Sequence, residues 1–254
     1  MESPVISITI ITHNRLSYTQ KTIESLLTNT KIPVEIFVVD NASTDKTKEY
    51  LQSVSGLKKV IFNRENLYPG KACNKGWELA DKKAQYLMRS DNDIIYKLGW
   101  DTAVLQAFKD FPRMGQLGII NELFQVFPSS HHTYDHCKVK HKKTLLYKPM
   151  NGNGNVGGPC VIKRELYDKG LRWYPDKWDS NMNEDVEMSL NVMGMGYEIY
   201  ELPLGVVDHI GFGDFQKYPE YYYNKYKQRG LMDWFVERLT FERSGHIKEG
   251  KMVD

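Results

Sequence analysis

The sequence has few cysteines and no long hydrophobic run, and each shortage narrows the kind of protein it can encode. Its three cysteines, Cys73, Cys137 and Cys160, lie too far apart for a disulfide framework or a zinc site of ordinary spacing, which favours a reducing compartment. The first apolar run, residues 5–11, has no basic region before it and is too short for a signal peptide or a membrane span. We therefore expect a cytoplasmic protein without a membrane-spanning helix.

Charge of one sign is not in excess either. The 34 Lys and Arg residues nearly balance the 32 Asp and Glu residues, so the formal net charge is +2. Such a balance predicts no broad basic surface for nucleic acid. A chain of 254 residues that is 41% hydrophobic can bury a sizeable core, as one large domain or as one domain with an added lobe.

Hydrophobic patterns of two periods alternate through the first hundred residues. Short apolar runs typical of buried strands cover residues 5–11, 34–39, 60–62 and 86–88, and helical patterns cover residues 17–29, 44–54 and 70–82. Ser43 is the expected cap of the second helix. This order predicts an α/β fold with a mostly parallel central sheet and helices on both faces.

Three of the predicted strands end in polar residues. Residues 12–15 follow the first strand, residues 40–45 follow the second, and residues 91–93 follow the fourth. Ligands of parallel sheets bind beyond the carboxyl ends of the strands, so we expect these three segments to meet at one edge.

The triplet Asp91-Asn92-Asp93 puts two carboxylates one residue apart on a turn. Mg²⁺ sites use one or two such carboxylates together with substrate phosphates, and a metal there neutralises charge on a leaving diphosphate. A chance pair of acids in a surface turn is the alternative. The position after an apolar strand favours the metal site.

Other polar residues leave two interpretations open. Asp40 is either a turn aspartate or a carboxylate that accepts a hydrogen bond from a nucleobase. Glu184 and Asp185 either stabilise a helix N-terminus or include a general base that takes a proton from an acceptor. His209 is either structural or a metal ligand.

The order and spacing of these segments resemble one family. The segments are Asn14-Arg15 after the first strand, residues 38–45, Asn66 to Gly76, the triplet 91–93, Glu184-Asp185, Gly196-Tyr197 and His209. Together they resemble the family-two inverting glycosyltransferases, which have a GT-A fold and use nucleotide sugars. The resemblance covers roughly residues 5–211.

The resemblance implies a role for each matching residue. Asp185 is the implied catalytic base, and we expect Trp178 and Glu184 in the acceptor site. Asp93 is the implied ligand of Mn²⁺ or Mg²⁺, with His209 as a second ligand. The implied donor-binding residues are Thr12, His13, Asn14, Arg15, Asp40, Asn41, Asn66, Gly70, Lys71, Asn74, Asp91, Asn92 and Gly158.

The same resemblance implies the organisation and the reaction. We expect a GT-A glycosyltransferase domain over residues 1–212, with a small mixed second sheet, and a C-terminal helical extension over residues 213–254 packed on it. The implied reaction is metal-dependent, inverting transfer of a hexosyl or N-acetylhexosaminyl group from a nucleotide diphosphate sugar, a UDP-sugar first of all. The implied acceptor is a nucleophile of a glycan, a lipid carrier, a peptide or a modified base.

Three alternatives remain at this stage. A sugar-phosphate nucleotidylyltransferase shares the sheet but requires a glycine-rich loop after the first strand, and residues 12–15 contain no glycine. A non-catalytic module that binds nucleotide sugars is the second alternative. The aromatic and basic residues 217–243 are expected to pack on the sheet, and peripheral contact with the inner face of a membrane is the alternative for them.

Overall fold

The computed structural model describes residues 3–119, 136–149, 156, 159–174, 184–202, 205–211, 218–228, 230, 232–243, 247–248 and 251–252. The strands are β1 (Ile6–Thr12), β2 (Val34–Asp40), β3 (Lys59–Phe62), β4 (Tyr86–Asp91), β5 (Ile94–Tyr96), β6 (Met114–Ile119), β7 (His136–His141), β8 (Thr144–Pro149), β9 (Cys160–Lys163), β10 (Glu198–Leu202), β11 (Val207–His209), β12 (Ile247–Lys248) and β13 (Lys251–Met252). The helices are α1 (Leu16–Asn29), α2 (Thr47–Ser53), α3 (Tyr68–Trp77), α4 (Trp100–Asp110), α5 (Arg164–Asp168), α6 (Glu184–Gly194), α7 (Pro219–Gln228) and α8 (Met232–Arg243).

A sheet of nine strands forms the centre of the fold, in the order β3-β2-β1-β4-β9-β6-β10-β8-β7. Strands β3, β2, β1 and β4 run parallel, and β9 lies antiparallel between β4 and β6. Strand β10 is parallel to β6, and the β7–β8 hairpin extends the far edge. The predicted α/β class is confirmed, and the small second sheet is the antiparallel pair β11–β5.

Hydrophobic side chains cover both faces of this sheet. Alternate residues of β1 point to opposite faces, so Ile8 and Ile10 belong to one core cluster and Ile11 to the other. Helices α1 and α4 complete the first cluster, and α3 and α6 complete the second. The prediction of helices on both faces is therefore confirmed.

Helix α3 lies unusually close to β1. A Cβ atom on Gly76 would overlap the side chain of Thr9, so a glycine is required where the helix crosses the strand. This close approach brings the start of α3 to the carboxyl edge of the parallel strands.

Two predicted helix boundaries were wrong. Helix α2 begins at Thr47, not at residue 44, and Ser43 does not cap it because the Ser43 hydroxyl donates to Asp40. Helix α3 begins at Tyr68 and ends at Trp77, so the predicted range 70–82 ran past its end. In the first case a hydrogen bond within the loop, between residues three apart, engages the hydroxyl that would have capped the helix.

Three aromatic residues after position 217 pack inward. Tyr222, Tyr226 and Phe235 form a third buried cluster between α7 and α8. That residues 217–243 pack on the sheet stays a prediction, because this cluster joins the two helices to each other. Within the described ranges, each helix is too short or too polar to span a membrane.

Candidate active site

The polar ends of β1, β2 and β4 lie side by side, as the strand order predicted. In the parallel register, Thr12 is opposite Asp40, and Ile11 is opposite Asp91. The Thr12 hydroxyl donates to Oδ1 of Asp40 at 2.8 Å. The three predicted segments thus meet at the carboxyl edge of the sheet.

The loop after β1 is tied to the loop after β2 by hydrogen bonds. Asn14 and Arg15 have left-handed backbones, with φ of 55° and 60°, which turns the chain sharply into α1. The side-chain oxygen of Asn14 accepts the backbone N–H of Thr44 at 2.7 Å, and the Asn14 N–H donates to Ser43 at 2.7 Å. His13 contacts the backbone oxygen of Asn41 at 2.7 Å through Nδ1.

Asp40 and Asn41 are buried beneath this edge, at 2% exposure each. The two carboxylate oxygens of Asp40 accept hydrogen bonds from Thr12 and from the backbone and hydroxyl of Ser43. Asn41 donates to the backbone oxygen of Tyr68 at 3.3 Å and so links β2 to the start of α3. Both side chains therefore stabilise the conformation of the loops at this edge.

One arginine holds the second acid of the triplet. In what we call the Arg15 cluster (Arg15, Asn92, Asp93 and His209), Arg15 donates to Oδ2 of Asp93 at 2.9 Å and to the side-chain oxygen of Asn92 at 2.6 Å. Nε2 of His209 lies 3.1 Å from Oδ1 of Asp93. His209 reaches Asp93 because β11 pairs with β5, which follows the triplet directly.

The surroundings of Asp93 favour its charged form. Burial alone would raise the pKa of this carboxyl, but the adjacent His209 and Arg15 lower it well below its usual range. Burial also disfavours the Arg15 cation, yet Tyr221, Asp93 and Tyr222 raise the pKa of Arg15 further above its ordinary value. The two groups therefore form a buried ion pair.

The C-terminal helices contact this cluster. The Arg15 guanidinium lies 4.5 Å from the ring centre of Tyr221 and donates to the Tyr222 hydroxyl at 3.4 Å. The Tyr222 hydroxyl in turn donates to the backbone oxygen of Gly211. Helix α7 thus supports the residues that hold Asp93.

A second arginine gathers the remaining acids. In what we call the Arg89 cluster (Arg89, Asp91, Glu184 and Asp185), Arg89 contacts Asp185 at 3.0 Å, Glu184 at 3.0 Å and Asp91 at 3.5 Å. Burial disfavours the Arg89 cation, but Glu184, Asp185 and Asp91 raise the pKa of Arg89 well above its ordinary value. Asp91 and Asp185 stay partly open, with 29% and 17% of their side chains exposed.

The start of α3 joins the Arg89 cluster through Glu184. The backbone N–H of Gly70 donates to Oε2 of Glu184 at 2.9 Å, and a Cβ on Gly70 would lie 3.0 Å from that oxygen. The side-chain amide of Asn74 accepts from the backbone N–H of Trp173 at 3.0 Å and donates to its carbonyl at 2.8 Å. These bonds hold Trp173 in place, and the centre of its ring lies 4.4 Å from Cζ of Arg89.

Asp93 and His209 fit a divalent cation by their chemistry and spacing. An oxygen and a nitrogen on adjacent corners of an octahedral site with bonds of about 2.1 Å lie about 3 Å apart, close to the separation seen here. Arg15 occupies the other oxygen of Asp93, as partners behind a metal ligand commonly do. In the part of the chain that is described, no group of three or more His, Cys, Asp or Glu side chains could hold a metal by itself. A cation here would require further ligands, from water or from a substrate phosphate.

The remaining predicted residues differ in position. Asn66 and Lys71 are exposed beside the start of α3, whereas Asn92 is buried and donates to Thr19 at 2.9 Å. Gly158 and Trp178 lie outside the described residues. No site role was predicted for Arg89 or Tyr222. The one available signal was at Arg89, a charged residue directly after the apolar run 86–88.

The fold is similar to that of solved glycosyltransferases. Residues 1–349 of TarS from S. aureus are similar with a TM-score of 0.57 and 18% identity, over 78% of this chain and 58% of that chain. The mannosyltransferase PcManGT from Pyrobaculum calidifontis, solved with GDP-Man and Mn²⁺, is similar with a TM-score of 0.59 and 16% identity, over 99% of this chain and 66% of that chain. GalNAc-T7, solved with UDP, GalNAc and Mn²⁺, is similar with a TM-score of 0.56 and 20% identity, over 82% of this chain and 44% of that chain. These similarities show a GT-A fold.

Residues 7–171, more than half of the chain, match glycosyl transferase family 2, and the chain belongs to this family. An uncharacterised glycosyltransferase of Haemophilus influenzae is 26% identical over 164 residues, which cover 59% of this chain and 50% of that protein. An uncharacterised glycosyltransferase of Rickettsia typhi is 35% identical over 94 residues, which cover 37% of this chain and 29% of that protein. The chain thus spans half or less of the length of these relatives.

Proposed function

We propose that the chain is a metal-dependent, inverting glycosyltransferase. It moves a hexosyl or N-acetylhexosaminyl group from a nucleotide diphosphate sugar, first of all a UDP-sugar, to a nucleophile of an acceptor. Family membership supports glycosyl transfer as the reaction class. The observation that carries the proposal is the arrangement at the sheet edge, where Asp93 contacts His209 and a partly open Asp185 lies with Asp91 around one arginine.

The proposed reaction is a single displacement. Asp185 takes the proton of the acceptor hydroxyl as the acceptor oxygen bonds to the anomeric carbon. The bond from that carbon to the diphosphate oxygen breaks on the opposite face, and its electron pair leaves with the diphosphate, so the anomeric configuration inverts. Mn²⁺ or Mg²⁺, held by Asp93 and His209, would supply charge neutralisation to the leaving diphosphate.

The loops around the cation site are the proposed donor site. Among the residues proposed for it, Asn66 and Lys71 are exposed, whereas Thr12, Asp40, Asn41 and Asn92 are buried. We propose Glu184, together with Trp178, for the acceptor side. The acceptor class stays as predicted: a glycan, a lipid carrier, a peptide side chain or a modified base. Residues 1–212 are the proposed catalytic domain, and residues 213–254 its helical extension.

Calorimetric titration with UDP, GDP, CDP and dTDP, each with and without Mn²⁺, tests the donor site. We expect one nucleotide to bind, and its affinity to fall about tenfold or more without Mn²⁺ and in Asp93→Ala. Asp168→Ala removes an exposed acid of α5 and is the matched control, because it should bind like the wild type. If Asp93→Ala bound the nucleotide as tightly as the wild type with Mn²⁺, the metal assignment would be wrong.

The base is tested by the rate at which the nucleotide is released from the matching nucleotide sugar, with water or an added acceptor as the nucleophile. Asp185→Asn should lower this rate about 10²-fold to 10⁴-fold, as expected for loss of a general base, while nucleotide affinity stays unchanged. Asp168→Asn is the control. Nucleotide binding with no sugar transfer to any acceptor or to water would favour the non-catalytic module instead.

A further inference from the structure

Arg89 stands out among the charged residues of the sheet. It lies in the inner strand β4, in register with Thr9 of β1 on one side and Cys160 of β9 on the other. Its side chain is 4% exposed, although an arginine is costly to bury without partners. A buried arginine side chain has little freedom to move, so it can fix the position of the carboxylates that it binds.

The partners of Arg89 are the acids proposed to act in the reaction. One terminal nitrogen donates to Asp185 at 3.0 Å, and the other faces Glu184 at 3.0 Å and Asp91 at 3.5 Å. The planar fork of an arginine can serve two carboxylates at once, which a lysine cannot do in the same way. Without this cation three carboxylates would repel one another at close range.

One further contact fixes the guanidinium itself, and another fixes its partner Glu184. The ring of Trp173 lies 4.4 Å from it, and the backbone of Trp173 is held by the Asn74 amide. Glu184 is held from its other side by the N–H of Gly70. The first turn of α6 therefore contacts both β4, through Arg89, and the start of α3, through Gly70.

We propose that Arg89 is a positioning residue, which acts through Asp185 by holding this carboxylate at the anomeric centre. The inference rests on the proposed function, since it requires Asp185 to be the base. Arg89 does not touch the reacting atoms. It sets the direction of the carboxylate that takes the acceptor proton and keeps Asp91 and Glu184 beside it.

A double-mutant cycle separates this role from a purely structural one. The rate measured is nucleotide release from the matching nucleotide sugar, in wild type, Arg89→Met, Arg89→Lys, Asp185→Asn and the two Arg89 variants combined with D185N. We expect Arg89→Met to lower kcat about 10²-fold, because small displacements of a catalytic group have effects of this size. Arg89→Lys should recover part of this loss.

The decisive result is the rate in the D185N background. There Arg89→Met should change kcat by no more than about twofold, because the group through which Arg89 acts is already lost. Arg164→Met is the control, since Arg164 pairs with an exposed aspartate on α5 and should keep the wild-type rate. If Arg89→Met does not fold, Arg89→Lys carries the same comparison.

Two results would overturn the inference. An equal loss of rate on changing Arg89 in both backgrounds would mean that Arg89 acts independently of Asp185, and the proposed function would stand. A wild-type rate for Asp185→Asn would remove the base itself, and both the mechanism and the role of Arg89 would fall.

Discussion

At the residue scale, Asp93 has almost no freedom to move. Arg15 and His209 occupy its two oxygens, and the backbone oxygen of Asp93 accepts the N–H of Ile210 at 2.8 Å. Gly211 lies directly behind the carboxylate, where a Cβ atom would overlap Oδ2 of Asp93 and come within 2.9 Å of Arg15. The absence of a side chain at Gly211 is therefore a condition for the Asp93–Arg15 ion pair.

Gly211→Ala should weaken donor binding for this reason. The added methyl group forces Asp93 or Arg15 to shift, at a cost of about 1–3 kcal/mol of folding free energy. We expect a lower midpoint in urea and a loss of the Mn²⁺-dependent part of nucleotide affinity, measured by calorimetry. Gly205→Ala is the matched control, because the nearest atom to its Cβ would be Lys97 Nζ at 3.8 Å. Wild-type affinity in Gly211→Ala would show that Asp93 can move without consequence.

The acids of the site were predictable as single residues, but their partners were not. Asp91 and Asp93 follow an apolar strand, and the rule that ligands bind beyond strand ends brings them to the correct edge. Arg15 contacts Asp93 across 78 residues of the sequence, and Arg89 contacts Asp91 across two. Both contacts depend on the direction of the side chains. A separation of 78 residues is too long for any local sequence pattern to reveal the Arg15–Asp93 contact.

At the element scale, helix α7 acts as a support for the loop after β1. Tyr222 connects Arg15 to Gly211, and the Tyr218 hydroxyl contacts Ser17 Oγ at 2.6 Å. The side chains of Tyr222 and Tyr226 are buried against this loop and α8. Helix α7 therefore belongs to the structure of the site, although none of the predicted donor-binding residues lies on it.

Removing one hydroxyl from α7 tests this coupling. Tyr222→Phe keeps the buried ring but leaves the Gly211 carbonyl and Arg15 without their shared partner, which should cost about 1–3 kcal/mol. We expect weaker Mn²⁺-dependent nucleotide binding with little change in helix content by circular dichroism. Tyr223→Phe, on the exposed side of the same helix, should behave like the wild type. Equal affinities for the two variants would contradict a role of α7 in the site.

The order of the first strands and helices could be predicted from the period of the hydrophobic pattern, because this period reflects which faces of a strand or helix are buried. Their ends could not, since Ser43 bonds to Asp40 and α3 starts at Tyr68 with a positive φ of 62°. The Ser43–Asp40 bond lies within one loop, whereas Tyr68 at the start of α3 is held by Asn41, a contact across 27 residues that forms only when the sheet is assembled.

At the scale of the whole molecule, the two core clusters share one sheet and should unfold together. Cys73 on α3 and Cys160 on β9 both belong to the second cluster, and both side chains are fully buried. Burial raises the pKa of Cys160 to about 12 and raises that of Cys73 well above its usual value. A thiol with a raised pKa stays protonated at moderate pH, so burial and low thiolate content both protect these residues in the native state.

Alkylation with iodoacetamide at about pH 8 tests whether the sheet unfolds as one unit. We expect no label on Cys73 or Cys160 in buffer, full label in denaturant, and the same urea midpoint for both, measured by mass spectrometry of their peptides. Adding the matching nucleotide with Mn²⁺ should raise that common midpoint, because a ligand that binds the native state stabilises it. If Cys73 were labelled at lower urea than Cys160, α3 would leave the sheet before the strands separate. The start of α3, with Gly70 and its bond to Glu184, would then be a part of the site that can open while the Asp93 side remains folded.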